Sequence, residues 1–446
     1  MQSVLIFVAH AGILQPKGGR NVNTAATGAN PSAWDSSYEW KAVLIMSAAF
    51  GLVGLDRFIL PPLFPSMMGD LGLNYQDLGN LVGALGVAWG CSAIVLGTLS
   101  DRIGRRAVLV PAVVLFSLLS ALSGMATGLV SLLVIRAVMG VAEGAVAPTG
   151  VAVAVEASHP RRRGMNNGIF QCTISLFGNG IGPILATQLL LITTWRRVFL
   201  IVGIPGLIVA AIMAFIVREP STVRSSGGSA ASQRAPFWSM FRHRNVPLAM
   251  ITLLCAMNGV FVLSAVMPNY LVDYLKLSQQ QMGVVTSAIG FGGALGQFGI
   301  LTLSDYIGRR SATLLSFIVA AVFLWLFIHT GANLPVLFVL LWIAAMCNFG
   351  ALAILAGPVP AEAAPLGLVA SAAGLVIGAG EIFGGGVAPS IAGAVAQHFG
   401  IQYTLYLALG GQILGLALTL LLRETAPRKS RSASRGAVSE LDRVPL

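Results

Sequence analysis

Runs of about twenty apolar residues, separated by short polar turns, occupy almost all of the chain between residues 41 and 423. A helix of about 20 residues is long enough to cross the hydrocarbon core of a bilayer. Twelve segments qualify: 41–64, 77–99, 107–128, 130–156, 165–191, 197–217, 246–272, 281–303, 311–330, 334–357, 366–394 and 400–422. They are numbered here as spans 1 to 12. The interruptions carry turn chemistry, as in Gly69-Asp70-Leu71-Gly72-Leu73-Asn74. Many of the 52 glycines fall inside the spans, where small residues let helices approach closely. The pattern predicts an all-α integral membrane protein with twelve transmembrane helices.

Basic residues orient the spans, because cytoplasmic connections retain Lys and Arg. With residues 1–40 in the cytoplasm, the ends and the even-numbered connections hold clusters such as Arg105-Arg106, Arg161-Arg162-Arg163 and Arg309-Arg310. The other side holds only Arg196, Arg197 and Lys276. Both termini are therefore expected in the cytoplasm, in a bacterial inner membrane. Residues 1–40 form a lead, with 1–35 disordered or preceding the true start rather than a signal peptide, since its apolar stretch is short and lacks a basic beginning. Residues 41–218 make a first six-helix bundle and 246–423 a second. Between them, 219–245 reads as a flexible Ser/Gly/Arg linker, and 424–446 as a disordered cytoplasmic tail.

Composition narrows the function. Apolar types make up 56% of the chain, charged types only 10%, and mean hydropathy is +0.83; soluble domains carry about 25% charged residues. The net charge of +11 sits in short inter-span clusters, not in a basic stripe interleaved with aromatics, so nucleic acid is not an expected partner. Cys91, Cys172, Cys255 and Cys347 lack metal-ligand spacing, and the five histidines are scattered. No metal site, cofactor or enzymatic nucleophile–base set is expected; the protein is read as a monomer among membrane lipids.

In a chain so poor in charge, the ionisable groups at membrane depth stand out. Asp56-Arg57 lies in span 1, Arg136 and Glu143 in span 4, and Glu381 among the glycines of span 11. A charge at the centre of a spanning helix costs roughly 2.5–3.5 kcal/mol on insertion scales, so such residues usually face a cavity and mark a substrate or proton path. Arg136 and Glu143 are about two turns apart and share a face, with Gly140 between them leaving room for a ligand or a neighbouring helix. Asp56 and Arg57 point about 100° apart, so one is expected to pair with span 4 while the other faces a ligand. Arginine offers a permanently charged fork suited to a carboxylate, and a buried acid can take up and release protons. A proton-driven carrier of a small organic anion follows; the competing reading is a static set of ion pairs between spans 1 and 4. For Glu381, a second protonation site, a substrate contact and local capping of glycine-loosened backbone all stay open.

The chain also repeats itself. Gly97-Thr98-Leu99-Ser100-Asp101-Arg102-Ile103-Gly104-Arg105-Arg106 follows span 2, and Leu301-Thr302-Leu303-Ser304-Asp305-Tyr306-Ile307-Gly308-Arg309-Arg310 follows span 8, an offset of 204 residues. Two pseudo-symmetric six-helix bundles are implied, with a site between them near the midplane. The loop resembles the signature of the major facilitator superfamily. That resemblance implies the superfamily's fold, alternating access, and a gating role for Asp101 and Arg105 and for Asp305 and Arg309 of the second copy. Asp56-Arg57 with Arg136-Ala137-Val138-Met139-Gly140-Val141-Ala142-Glu143-Gly144 further resembles its anion:cation symporter family. By that likeness Asp56 and Glu143 couple protons and Arg57 and Arg136 hold the anion; Glu381, from its place among glycines alone, is a further candidate for proton coupling.

Trp89 and Ala93 stand where that family commonly carries Tyr and Gln. The substitution favours an aromatic or sparsely hydroxylated carboxylate over a sugar acid, with Trp89 and Asn258 as candidate substrate contacts. Proton-antiport efflux of drugs or metabolites is the alternative, since Gly178 and Gly182-Pro183 on span 5 resemble an antiporter motif.

Overall fold

The computed structural model describes residues 35–160, 162–218, 241–363 and 369–426. The disorder expected of 1–34, of most of the linker and of the tail beyond Ala426 concerns residues outside this set, as does the side chain of Asp101. Every described element is helical, and twelve are long and apolar enough to cross a membrane. They run Ser36–Leu71, Tyr75–Leu96, Arg105–Ser123, Leu129–Ala157, Arg163–Leu189, Trp195–Ile216, Asn245–Tyr274, Gln279–Ile307, Arg309–Ile328, Leu334–Ala363, Ala372–Phe399 and Tyr403–Leu421.

Span 1 begins at Ser36, inside the stretch expected to be lead. The reason is Glu39, which is fully buried. Its carboxylate accepts from Asn166 Nδ2 at 2.8 Å and the His159 amide at 3.2 Å, and lies 3.6 Å from Arg162 Nη1. Hydropathy hides this turn because its anchoring residue is a satisfied charge. Span 1 then breaks at Ile59, between helices Ser36–Phe58 and Leu60–Leu71. Pro61 and Pro62 supply no amide hydrogen to the carbonyls of Arg57 and Phe58, so the regular ladder stops there. Asp56-Arg57 therefore occupies a helix end at membrane depth. Irregular backbone at that depth is tolerated where protein buries it or it lines a cavity.

Apolar side chains gather into two cores. One runs from Ala42 to Val217; the other runs from Val246 to Leu422 and also takes in Phe58. Span 2 packs on span 11 and span 5 on span 8. A Cβ at Gly86 would strike the carbonyl of Gly385, and one at Gly290 would strike the backbone of Asn179 and Gly180. No side chain can yield at either place. Gly290→Val is thus expected to destabilise the protein by about 1–3 kcal/mol through overpacking, read as a lowered thermal midpoint in detergent; an unchanged midpoint would mean that spans 5 and 8 do not approach this closely.

The repeated loops carry a repeated arrangement. Gly104 and Gly308 adopt φ of 108° and 100°, conformations that favour glycine. Arg105 donates to Ser100 Oγ at 3.0 Å and to Glu156 at 2.9 Å. Arg309 correspondingly donates to Ser304 Oγ at 2.6 Å and to Glu362 at 3.1 Å, and pairs with Asp305 at 2.6 Å. Each arginine ties its loop to a helix of its own half.

Polar bridges across the halves cluster at the end where span 2 begins. Tyr75 donates its hydroxyl to Asp273 at 2.9 Å and its amide to Gln397 at 3.2 Å. Gln279 donates to Ser66 Oγ at 2.9 Å, and Asn269 to Met68 Sδ at 3.4 Å.

Candidate functional site

The break in span 1 sends Asp56 and Arg57 in different directions. Asp56 accepts from Ser120 Oγ on span 3 at 2.7 Å, and its backbone carbonyl accepts from Arg136 Nη1 at 3.0 Å. Arg57 reaches across to the other half, where its Nη2 lies 2.8 Å from Glu381 Oε2. Neither side chain of the pair forms an ion pair with span 4 among the described residues. The expected pairing of one of them with span 4 is corrected accordingly, and a static ion-pair tie between spans 1 and 4 is not found. The cation of Arg57 finds its counter-charge 324 residues away instead.

Rings enclose that ion pair. Cζ of Arg57 lies 4.4 Å from the centroid of Phe261, 5.4 Å from Trp89 and 5.7 Å from Phe58. Guanidinium over aromatic faces is attracted electrostatically, more so when desolvated. Glu381 begins a wide π-helical stretch, Glu381–Val387, and a Cβ at Gly385 would sit 2.7 Å from its carboxylate and 3.2 Å from Arg57 Nη2. Glycine at 385 makes room for the pair. Span 5 has a matching wide stretch at Ile174–Ile181. Such turns recur at functional sites in helices.

Arg136 is 2% exposed. Its Nη1 serves the Asp56 carbonyl, and its Cζ lies 5.8 Å from the Phe199 ring. Its Nε and Nη2 have no hydrogen-bond partner, and neither has either oxygen of the fully buried Glu143. Nε–H and Nη2–H form the side-on edge of a guanidinium, the edge that can grip a carboxylate with two parallel hydrogen bonds. A buried carboxylate lacking donors is costly unless a proton or a cation neutralises it. Gly140, expected to leave room, does so for a helix: a Cβ there would strike the backbone carbonyl of Leu85 on span 2.

Arg57 and Arg136 line one small cavity with Leu60, Leu81, Val82 and Leu85. Its volume of about 10 Å³ holds about one water molecule, so the site is closed in this conformation. Apart from the two guanidinium groups its walls are aliphatic.

The structure thus brings together Asp56, Arg57, Trp89, Arg136, Glu143 and Glu381. It sets Asn258 apart: that amide donates to the Leu407 carbonyl on span 12 at 3.2 Å and is tied into the second core. Arg105, Asp305 and Arg309 lie in the repeated loops. Three members of the cluster had not been anticipated. Ser120 is one of several serines in an apolar span, and Phe58 and Phe261 read as ordinary core; only the Pro61-Pro62 break beside Phe58 could have drawn attention to it.

A family model of the Major Facilitator Superfamily matches residues 46–270 and 249–445. The chain is 25% identical over 348 residues to the 4-hydroxybenzoate transporter PcaK of Pseudomonas aeruginosa, covering 71% of this chain and 77% of that protein. It is 26% identical over 264 residues to the hexuronate transporter of Bacillus subtilis, covering 58% and 62%. Its fold is similar to that of a bacterial homologue of the human lysosomal transporter Spinster, solved in an inward-facing and unoccupied conformation. That likeness has a TM-score of 0.70 at 17% identity and covers 88% of this chain and 97% of that one.

Proposed function

Because this chain belongs to the major facilitator superfamily, we propose that it is a secondary transporter moving an organic carboxylate together with protons by alternating access. It sits in the cell inner membrane with both termini in the cytoplasm, as the Lys/Arg asymmetry favours. One observation carries the reading: the unpartnered side-on edge of buried Arg136 stands on the same helix face as the unpartnered carboxyl of Glu143. A buried guanidinium edge with open donors and a buried acid in one low-dielectric site are the two parts a proton–anion symporter needs. Arg136 and Arg57 hold the carboxylate, Trp89 lies against its body, and Asp56 and Glu143 take up protons.

The relatives' names include both an aromatic acid and a sugar acid. The aliphatic lining favours the former, since Leu60, Leu81, Val82 and Leu85 give hydroxyl groups no partner and each unpaired buried hydroxyl costs roughly 1–3 kcal/mol. The test is uptake of labelled 4-hydroxybenzoate and glucuronate into proteoliposomes under an imposed pH gradient, acid outside, with and without an uncoupler. Uncoupler-sensitive accumulation of 4-hydroxybenzoate is expected. Transport of a lipophilic cation such as tetraphenylphosphonium, with no response to either acid, would establish the efflux alternative instead.

Alternating access requires the bridged end to open. Tyr75→Phe removes the hydroxyl that binds Asp273. A hydrogen bond to a carboxylate contributes about 1.5 kcal/mol or more, roughly tenfold in a population. A cysteine placed at Ser66 is expected to react correspondingly faster with an impermeant maleimide added on the side where span 2 begins. An unaltered rate would mean that these bridges do not hold that end shut.

A further inference from the structure

We propose that Glu381 is a built-in competitor for the substrate: its carboxylate occupies Arg57 when the carrier is empty, and a proton on Glu381 hands Arg57 to the incoming anion. This rests on the carboxylate-transport reading above and adds to it a second arginine whose availability is set by pH.

The geometry has three parts. Glu381 is the one carboxylate joined to Arg57 among the described residues, at 2.8 Å, and the pair is nearly sealed from solvent at 5% and 7% exposure. It bridges span 1 of one half and span 11 of the other, so its partner exchange is coupled to the relation between the halves. Arg57 lines the same cavity as Arg136, which places the contested guanidinium beside the open one. Phe58, Trp89 and Phe261 lie over Arg57 and Glu381 holds its Nη2, so a carboxylate that takes Nη2 must displace Glu381.

The exchange balances in charge. Before it, the site holds Arg57 as a cation and Glu381 as an anion. Afterwards Glu381 carries a proton on its carboxyl oxygen and the substrate monoanion is bound to Arg57. One proton and one anion enter together, and the net charge of the buried site is unchanged. That matters where an uncompensated charge is expensive.

Other titratable and charged groups on the elements around Glu381 are few. Arg57 touches it, with Asp56, Arg136 and Glu143 behind. Span 2 carries Cys91 and, towards its ends, Tyr75, Asp77, Asp101 and Arg102. Span 7 carries Cys255 and, at its far end, Tyr270, Asp273 and Tyr274; span 11 has His398 at its end. Arg57 alone makes a polar contact with the Glu381 carboxylate among the described residues.

The test measures binding of 4-hydroxybenzoate, benzoate and glucuronate to the purified carrier by thermal shift and calorimetry. For the unaltered protein, affinity is expected to rise as pH falls. Glu381→Gln is expected to bind about tenfold more tightly at high pH and to lose most of that dependence, a coupling within the usual range for linked ligands. Glu381→Asp, which keeps the acid, is expected to retain it. Gly385→Ala supplies an independent route should the glutamine variant fold poorly. Its methyl would stand 2.7 Å from the Glu381 carboxylate and 3.2 Å from Arg57 Nη2, so it disturbs the pair itself and is expected to flatten the pH dependence with Glu381 intact. If the unaltered carrier binds an acid while Glu381→Gln and Gly385→Ala match it in affinity and pH profile, or bind more weakly at every pH, this inference alone is overturned. If no form of the protein responds to any of the acids, the transport reading fails and this inference with it.

Discussion

Arg136→Ala is expected to weaken carboxylate binding by at least about a hundredfold, or about 3 kcal/mol, the lower part of the range for truncating one partner of a buried charged contact. Two losses combine. The side-on edge of Nε and Nη2 disappears, and with it the bidentate grip. The cation beside Asp56 and Glu143 disappears as well, leaving two buried carboxyl groups in an apolar surround. Arg136→Lys separates these effects. It keeps a charge but replaces the planar fork by a point donor, so an intermediate loss of about tenfold is expected. Both variants also lose or weaken the bond to the Asp56 carbonyl, so binding must be compared at matched thermal stability. Unchanged affinity in a folded Arg136→Ala protein would remove Arg136 from the anion site.

What the sequence made legible was whatever the bilayer penalises. Apolar length placed the twelve spans, and span 1 begins earlier than expected because a satisfied charge, Glu39, extends it. The cost of a buried charge singled out Asp56, Arg57, Arg136, Glu143 and Glu381 before any geometry was known. Partner choice was not legible. Arg57 and Glu381 lie in different halves, and no local periodicity links residues so far apart; the bond exists because glycine at 385 and a wide helical turn leave space for it. Nor did the sequence separate a polar residue that lines the cluster from one that stitches helices together. Asn258 and Ser120 look alike as isolated polar positions in apolar runs, yet Ser120 meets Asp56 and Asn258 meets a backbone carbonyl of span 12. Interhelical hydrogen bonding and ligand binding use the same residue types, so only the fold distinguishes them.

Glu143→Gln is expected to leave exchange intact and to cut concentrative uptake. The substitution is close to isosteric, and neither oxygen of Glu143 accepts a hydrogen bond, so no bond is lost and packing is conserved. The anion receptor is untouched, so labelled acid inside and outside a vesicle still equilibrates. What the amide cannot do is carry a proton from one side to the other. Each pH unit across the membrane is worth about 1.4 kcal/mol per proton, or about tenfold in solute ratio. Unaltered proteoliposomes with an imposed gradient of about one unit are therefore expected to accumulate 4-hydroxybenzoate about tenfold for each coupled proton. The variant loses the tenfold share carried by Glu143, and falls to a ratio near one if Glu143 is the obligatory carrier. The readout is internal label at steady state, with counterflow on the same preparation as the control for a working carrier. Accumulation that survives in Glu143→Gln at the unaltered ratio would move proton coupling off span 4. The other acids of the cluster are Asp56 and Glu381, and Asp56→Asn and Glu381→Gln under the same gradient would then decide between them.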